Sequence, residues 1–150
     1  MKVPTYTATI YVGFKNHYGS ETIDYQEVAK FVQDWVDKIS LCVTIQNVDY
    51  IYKGGHENGM AIGFINYPRF PSTAFEIKEK ALDLAGELLK FCKQMRVSVV
   101  FPDETIMLSN EPEIEAYESN KILKGIENGY SLQTHKMEEF FGYGRPVYGD

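Results

Sequence analysis

The chain has 150 residues, of which 44% are apolar, and its net charge is −6. This length suits a single domain, and the apolar content suits a packed core and excludes a disordered chain. The pI of about 5.1 argues against a generic duplex-binding protein, because such a protein needs a basic face.

The N-terminal stretch, the lack of a long apolar run and the cysteines together predict a cytoplasmic protein. The N-terminal stretch lacks the apolar core and cleavage site of a signal peptide, and no apolar run approaches the ~20 residues that span a bilayer. The two cysteines, Cys42 and Cys92, are predicted to be buried free thiols. We therefore expect a cytoplasmic protein (the host cytoplasm if a phage encodes it) that contacts neither a membrane nor duplex nucleic acid.

The first half of the chain predicts a strand, a helix and two further strands. Residues 6–14 alternate between apolar and polar side chains, as a half-buried strand does. Residues 23–39 have helical spacing, with a capping box at Asp24 and Glu27. Residues 41–52 form a strand whose apolar phase shifts, which predicts a bulge near Gln46 and Asn47. Residues 53–59, "KGGHENG", form a turn before a strand over 60–66.

The second half begins with a proline-rich loop and a long helix over 73–95, which Thr73 and Glu76 cap. Short strands follow over 96–101 and 105–108. The order β-α-β-β-α-β plus one strand predicts an α+β fold, a ferredoxin-like sandwich with both helices on one face of an antiparallel sheet. Residues 1–110 form this body. Residues 111–150 hold eight acidic and four basic residues and form an arm that packs on the body or on a partner subunit.

The loop "YPRFPST" is the first candidate site. Its arginine can bind phosphate or carboxylate with two hydrogen bonds, and its hydroxyls precede a helix N-terminus, which also favours anions. Its aromatic rings can stack on a base. The ligand-binding residues predicted here are Tyr67, Arg69, Phe70, Ser72 and Thr73. The alternative is structural: the loop caps a helix, Phe70 plugs the base of the sheet and Arg69 pairs with Asp103 or Glu104.

The opposite end of the predicted sheet gathers a second set of polar residues. This polar rim consists of Lys15, His17, Tyr18, His56 and Glu57. Two histidines and a glutamate are the residue types of a metal site or of acid–base catalysis, but no motif with the spacing of metal ligands accompanies them. We therefore predict a polar rim without a metal or a cofactor, the alternative being two solvated turns.

No motif for nucleophilic catalysis or phosphate binding occurs, neither GxSxG, CxxC, Walker A nor GxGxxG. The segments "YTATIYVGFK", "CVTIQNVDYIYKGGHENG", "GFINYPRFP" and "VSVVFPDETIML" resemble small accessory and effector proteins of tailed phages. That resemblance implies a cytoplasmic effector that binds a host protein or sequesters a signalling nucleotide as an anti-defence measure.

Together these features predict a non-catalytic binding protein that works as a homo-oligomer. Its ligand is a small anionic molecule such as a nucleotide. One alternative is a protein-interaction module that captures a host or structural protein through residues 111–150. Another is an enzyme in which His17 or His56 acts as acid and base and Glu57 assists.

Overall fold

The computed structural model describes residues 1–17 and 19–110, so Tyr18 and the predicted C-terminal arm lie outside the described residues. The sheet has the order β2-β3-β1-β4-β5, and every neighbouring pair is antiparallel. This is the predicted ferredoxin-like α+β fold with its extra edge strand. The elements are β1 (Thr7–Gly13), α1 (Tyr25–Ile39), β2 (Thr44–Tyr52), β3 (Gly55–Ile65), α2 (Ala74–Phe91), β4 (Arg96–Val100) and β5 (Thr105–Ser109).

Both helices begin at the predicted capping boxes. Asp24 accepts a hydrogen bond from the backbone N–H of Gln26 at 3.1 Å and closes the box with Glu27. Thr73 Oγ1 accepts from the backbone N–H of Glu76 at 3.1 Å, and Glu76 returns the bond to Thr73 N at 3.0 Å. These bonds satisfy N–H groups that a helix start otherwise leaves without partners.

A single hydrophobic core lies between the sheet and the two helices. Side chains alternate across a strand, so every second residue of β1 faces the helices. Ile10, Ile62 and Leu88 are completely buried there. Trp35 of α1 donates its indole N–H to Asp83 of α2 at 3.1 Å, which gives the buried ring a polar partner. The helices therefore cover one face of the sheet, as predicted.

Two local predictions are wrong. The β2–β3 register runs without a bulge from Thr44 opposite Gly63 to Tyr52 opposite Gly55. The apolar phase shifts because Ile45 packs against the core while Val48 faces the other way. In addition, "KGGHENG" is not a turn: the chain reverses at Lys53 and Gly54, and β3 begins at Gly55.

The cysteines also differ from the prediction in part. Both thiols are free, and Cys92 is buried, which raises its pKa to about 12. Cys42 is exposed, because it precedes β2 rather than lying in it, and its thiol donates to Tyr67 Oη at 3.5 Å.

The side of the sheet that faces away from α1 and α2 is called here the open face. Its centre consists of Tyr11 and Gly13 of β1, Tyr50 of β2, and Glu57 and Gly59 of β3, which the register places on the same side. Within residues 1–17 and 19–110, no helix is long and apolar enough to cross a bilayer.

The α2 cap gives a stability prediction. Replacing Thr73 by Ala removes the acceptor for Glu76 N–H, so the free energy of unfolding should fall by about 1 kcal/mol. Thr73→Ser should keep most of the stability, because serine supplies the same oxygen. Urea unfolding measures both variants. Ser72→Ala is the control, since the hydrogen bond of Ser72 comes from its backbone N–H. Equal stability of Thr73→Ala and wild type would contradict this role.

Candidate functional site

The predicted anion-binding loop is an exposed turn between β3 and α2. Phe70 N–H donates to Tyr67 O at 2.9 Å and closes the turn. The Arg69 guanidinium lies 5.9 Å from the centroid of the Phe70 ring. Phe70 is 69% exposed and is therefore no plug under the sheet. Tyr67, Phe70 and Ser72 line a cleft of about 460 Å³ against the end of α1, and Arg69 and Thr73 do not.

The polar groups of this loop are engaged by the protein itself. Ser72 N–H donates to Asn66 Oδ1 at 2.8 Å, and the Thr73 hydroxyl belongs to the α2 cap. Glu76 places a carboxylate at the helix start, where an anion would meet repulsion. Asp103 and Glu104 pair with Lys78 and not with Arg69. Ligand binding by these residues stays a prediction, and the local electrostatics do not favour an anion.

The two predicted polar loops do meet at the opposite end. Phe14 N–H donates to Asn58 O at 3.0 Å, and Lys15 N–H donates to Glu57 Oε2 at 3.0 Å. His17 lies nearby, with its backbone N–H donating to Lys93 O at 3.0 Å.

His56 and Glu57 do not act together, because adjacent strand residues point to opposite faces. His56 Nε2 lies 3.3 Å from Asp49 Oδ1 on the helix side, while Glu57 lies on the open face. Across residues 1–17 and 19–110, no group of three or more His, Cys, Asp or Glu residues is arranged to hold a metal.

A different cluster occupies the open face, and Tyr50 is its first member. A side chain on Gly59 would overlap the Tyr50 ring and the Val12 carbonyl, so the ring lies directly over this glycine. The Tyr50 hydroxyl is within hydrogen-bonding distance of Val12 O at 3.2 Å and of Met60 O at 3.3 Å. These contacts fix the ring across the strand junction.

Gly13 is the second small position of this cluster. It lies opposite Gly59 in the β1–β3 ladder. A side chain on Gly13 would overlap the Glu57 carboxylate and would stand 2.9 Å from Gln94 Oε1. Two acceptor groups from distant parts of the chain therefore meet above one backbone position.

The charge of this cluster is negative and local. Among the described residues, no lysine, arginine or histidine lies within ion-pair distance of Glu57. Burial, and then the nearby Glu57 carboxylate, raise the pKa of Tyr50 above its ordinary value of 10.0. Tyr11 is 40% exposed and offers a ring at the edge of the cluster. The arrangement suits a cation that also has a flat, apolar part.

The sequence analysis did not predict Tyr50, Gly13 and Gln94 as residues of a functional site. One signal was available for part of the cluster: Gly55, Gly59 and Gly63 share one face of a strand, and neighbouring large side chains can cover such glycines. Assigning residues 53–59 to a turn hid this pattern. No local pattern marks Gln94, since its position follows from the loop after α2.

No protein-family model matches this chain, and neither does any curated protein sequence. Two solved structures share its fold. One is a phage SAM lyase in complex with S-methyl-5'-thioadenosine, with a TM-score of 0.58 and 19% identity over 72% of this chain and 92% of that one. The other is a phage SAM lyase in the apo state, with a TM-score of 0.57 and 20% identity over 71% and 90% of the two chains.

These neighbours correct the functional prediction. The prediction of a non-catalytic protein that sequesters a ligand or captures a host protein is contradicted, because both of these structural neighbours are lyases. The prediction that the chain is no enzyme fails for the same reason. The resemblance to phage proteins is supported, and so is the expectation of a small-molecule ligand, since one neighbour holds S-methyl-5'-thioadenosine.

The Tyr50–Gly59 contact can be tested by filling the glycine. Gly59→Ala should displace the Tyr50 ring and strain the Val12 carbonyl, lowering the free energy of unfolding by about 1–3 kcal/mol. The control is Gly86→Ala in α2, where an added methyl group meets nothing within 4 Å. Because alanine favours a helix, that variant should gain roughly 0.5–1 kcal/mol. Urea unfolding compares the two, and a neutral Gly59→Ala would contradict the contact.

The raised pKa of Tyr50 predicts a pH dependence of stability. The unfolded chain loses the phenolic proton near pH 10 while the folded chain keeps it, so stability should fall as pH rises above about 10. Tyr50→Phe should lose less stability than wild type between about pH 9 and about pH 11. Burial, and then Asp103, also raise the pKa of Tyr6. The variant Tyr6→Phe is therefore measured over the same pH range for comparison. Parallel pH profiles of wild type and Tyr50→Phe would refute this role.

Proposed function

We propose that this protein is a lyase that cleaves S-adenosylmethionine and releases S-methyl-5'-thioadenosine at the open-face cluster. The observation that carries the proposal is the Glu57 carboxylate, which lies over Gly13 and opposite Tyr50 without a cationic partner among the described residues. The shared fold with SAM lyases supports it.

The substrate has the chemistry that this cluster suits. Its sulfonium is a permanent cation joined through the ribose to a flat adenine ring, and cations are held by carboxylates and by aromatic faces. We assign Glu57 to the cation and Tyr11, which is on the same face and 40% exposed, to the adenine ring.

The proposed reaction breaks the bond between sulfur and the γ-carbon of the amino-acid chain. The electron pair of that bond stays on sulfur, which becomes the neutral thioether of S-methyl-5'-thioadenosine. The γ-carbon gains its new bond from an oxygen of the substrate's own carboxylate, which closes a five-membered lactone. Atoms and charges balance without water, an external proton or a cofactor.

Such a reaction needs no nucleophile from the protein, which agrees with the absence of catalytic motifs in the sequence. The protein contributes by binding the substrate in the folded conformation that brings its carboxylate to the γ-carbon, a gain from orientation. The single proton of the Tyr50 hydroxyl is already shared between the Val12 and Met60 carbonyls, so we assign the Tyr50 ring a positioning role.

The proposal changes the predicted ligand and leaves the predicted location and oligomeric state as they were. The ligand becomes a small adenosine compound with a cationic centre instead of an anion. The cytoplasmic location and the homo-oligomer remain predictions; native mass spectrometry of the full chain would count the subunits.

Glu57 should act mainly on substrate binding. Because the sulfonium charge is present in the bound substrate and fades during cleavage, Glu57→Gln should raise KM by about tenfold or more and change kcat much less. Chromatography of S-methyl-5'-thioadenosine formed from S-adenosylmethionine measures both constants.

The control for that measurement is Glu79→Gln, which removes the same charge from an exposed position of α2. It should leave KM and kcat unchanged. If the wild-type protein forms no S-methyl-5'-thioadenosine, the proposed function is wrong. If Glu57→Gln is as active as wild type, the reaction takes place elsewhere on the protein.

A further inference from the structure

Gln94 is a buried amide beside the open-face cluster. It lies between α2 and β4 and is only 8% exposed, and it is the one buried polar side chain in residues 1–17 and 19–110. A buried amide normally has partners for both its nitrogen and its oxygen, because a buried polar atom without a partner is costly.

The orientation of the amide follows from its neighbours. Gln94 Nε2 donates to Lys15 O at 2.7 Å and to Cys92 O at 3.2 Å. Backbone carbonyls can only accept, so the nitrogen must face them and the oxygen must face the other way, toward Gly13. Within the described part of the chain, no donor bonds to Gln94 Oε1, which lies 2.9 Å from the position that a Cβ on Gly13 would take.

Gln94 Oε1 and the Glu57 carboxylate therefore converge above the same glycine. Glu57 Oε2 accepts only from Lys15 N–H among the described residues, which leaves its negative charge without a counter-charge. The backbone of Lys15 holds both side chains, because its carbonyl bonds Gln94 and its N–H bonds Glu57. The pair is thus built into the end of β1.

We propose that Gln94 Oε1 and Glu57 form an acceptor pair that faces the cationic sulfur, and that this pair sets the preference of the site for a sulfonium over a neutral thioether. The inference rests on the proposed function and adds Gln94 as a residue that determines specificity. The negative end of the amide dipole and the carboxylate both attract a positive centre, whereas a thioether carries no charge for them to attract.

This preference has a consequence for turnover. Cleavage converts the sulfonium into a thioether, so the attraction disappears when the bond breaks. The product then keeps only the contacts of its adenosine, and its release becomes easier than release of the substrate.

The test uses two adenosine ligands that the proposed reaction does not cleave. Sinefungin carries an ammonium group where the substrate has sulfonium, and S-adenosylhomocysteine carries a neutral thioether there. Isothermal titration calorimetry on the full-length protein gives the ratio of their Kd values. Wild type should prefer sinefungin, and Gln94→Met, which keeps the size of the side chain and removes its acceptor, should reduce that preference about tenfold.

Two further variants separate specificity from a structural role. Gln94→Glu keeps an acceptor and adds a charge while losing the Nε2 donor, so it should keep or increase the preference for sinefungin even where it lowers thermal stability. Should Gln94→Met fail to fold, Gln94→Glu carries the test, and a decreased preference in it overturns the inference. Glu57→Gln should reduce the preference as Gln94→Met does.

The outcomes distinguish this inference from the proposed function. If Gln94→Met weakens both ligands equally, Gln94 is only structural and the inference fails while the lyase proposal stands. The same holds if wild type binds both ligands equally well. If wild type binds neither ligand and forms no S-methyl-5'-thioadenosine, the proposed function itself fails.

Discussion

Gly13 and Gly59 face each other across β1 and β3; a side chain on Gly59 would overlap the Val12 carbonyl, and one on Gly13 would displace the Glu57 carboxylate. This constraint organises the open face. The missing side chains leave room for the Tyr50 ring to cross from β2 and reach the Val12 carbonyl of β1. The same room lets Glu57 and Gln94 cover Gly13. A larger residue at either glycine would force those side chains apart.

The asymmetry of the sheet explains why such a cluster can exist on this side. Both helices pack on one face and bury its central side chains, such as Ile10 and Ile62, so the core fills that part of the face. The open face carries polar and aromatic side chains that need no apolar cover. Because successive strand residues point to opposite faces, residues such as Ile10 pack in the core, while their neighbours, such as Tyr11, are exposed on the open face.

The sequence predicted the features that depend on local chemistry. Asp24 and Thr73 start helices because a side-chain oxygen must satisfy the first N–H groups, and this requirement can be read from a few residues. The strand order followed from the alternation of elements. Register could not be read in the same way. The apolar side chains of β2 lie on both faces, and two adjacent glycines in "KGGHENG" look like a turn even though only Gly54 adopts a positive φ.

The cluster was harder to predict because its members are distant in sequence and meet only in the folded chain. Glu57 was recognised as polar and as a neighbour of Lys15, but its direction depends on whether it belongs to a strand. Gln94 owes its position to the end of α2 at Phe91, which the prediction placed at Met95. Lys93 adopts a left-handed φ of 52°, which breaks the helix and turns the chain back toward Lys15.

The net charge of the chain favours the same kind of ligand as the Glu57 carboxylate. The chain carries −6, and such a field repels anions and attracts cations at long range. The ligand predicted from Arg69 and a helix start was an anion, which this field and Glu76 both oppose. S-adenosylmethionine has two positive groups and one negative group and is a net cation, whereas S-methyl-5'-thioadenosine is neutral. The overall charge and the local Glu57 carboxylate therefore both favour the proposed substrate, and neither favours the neutral product of the proposed cleavage.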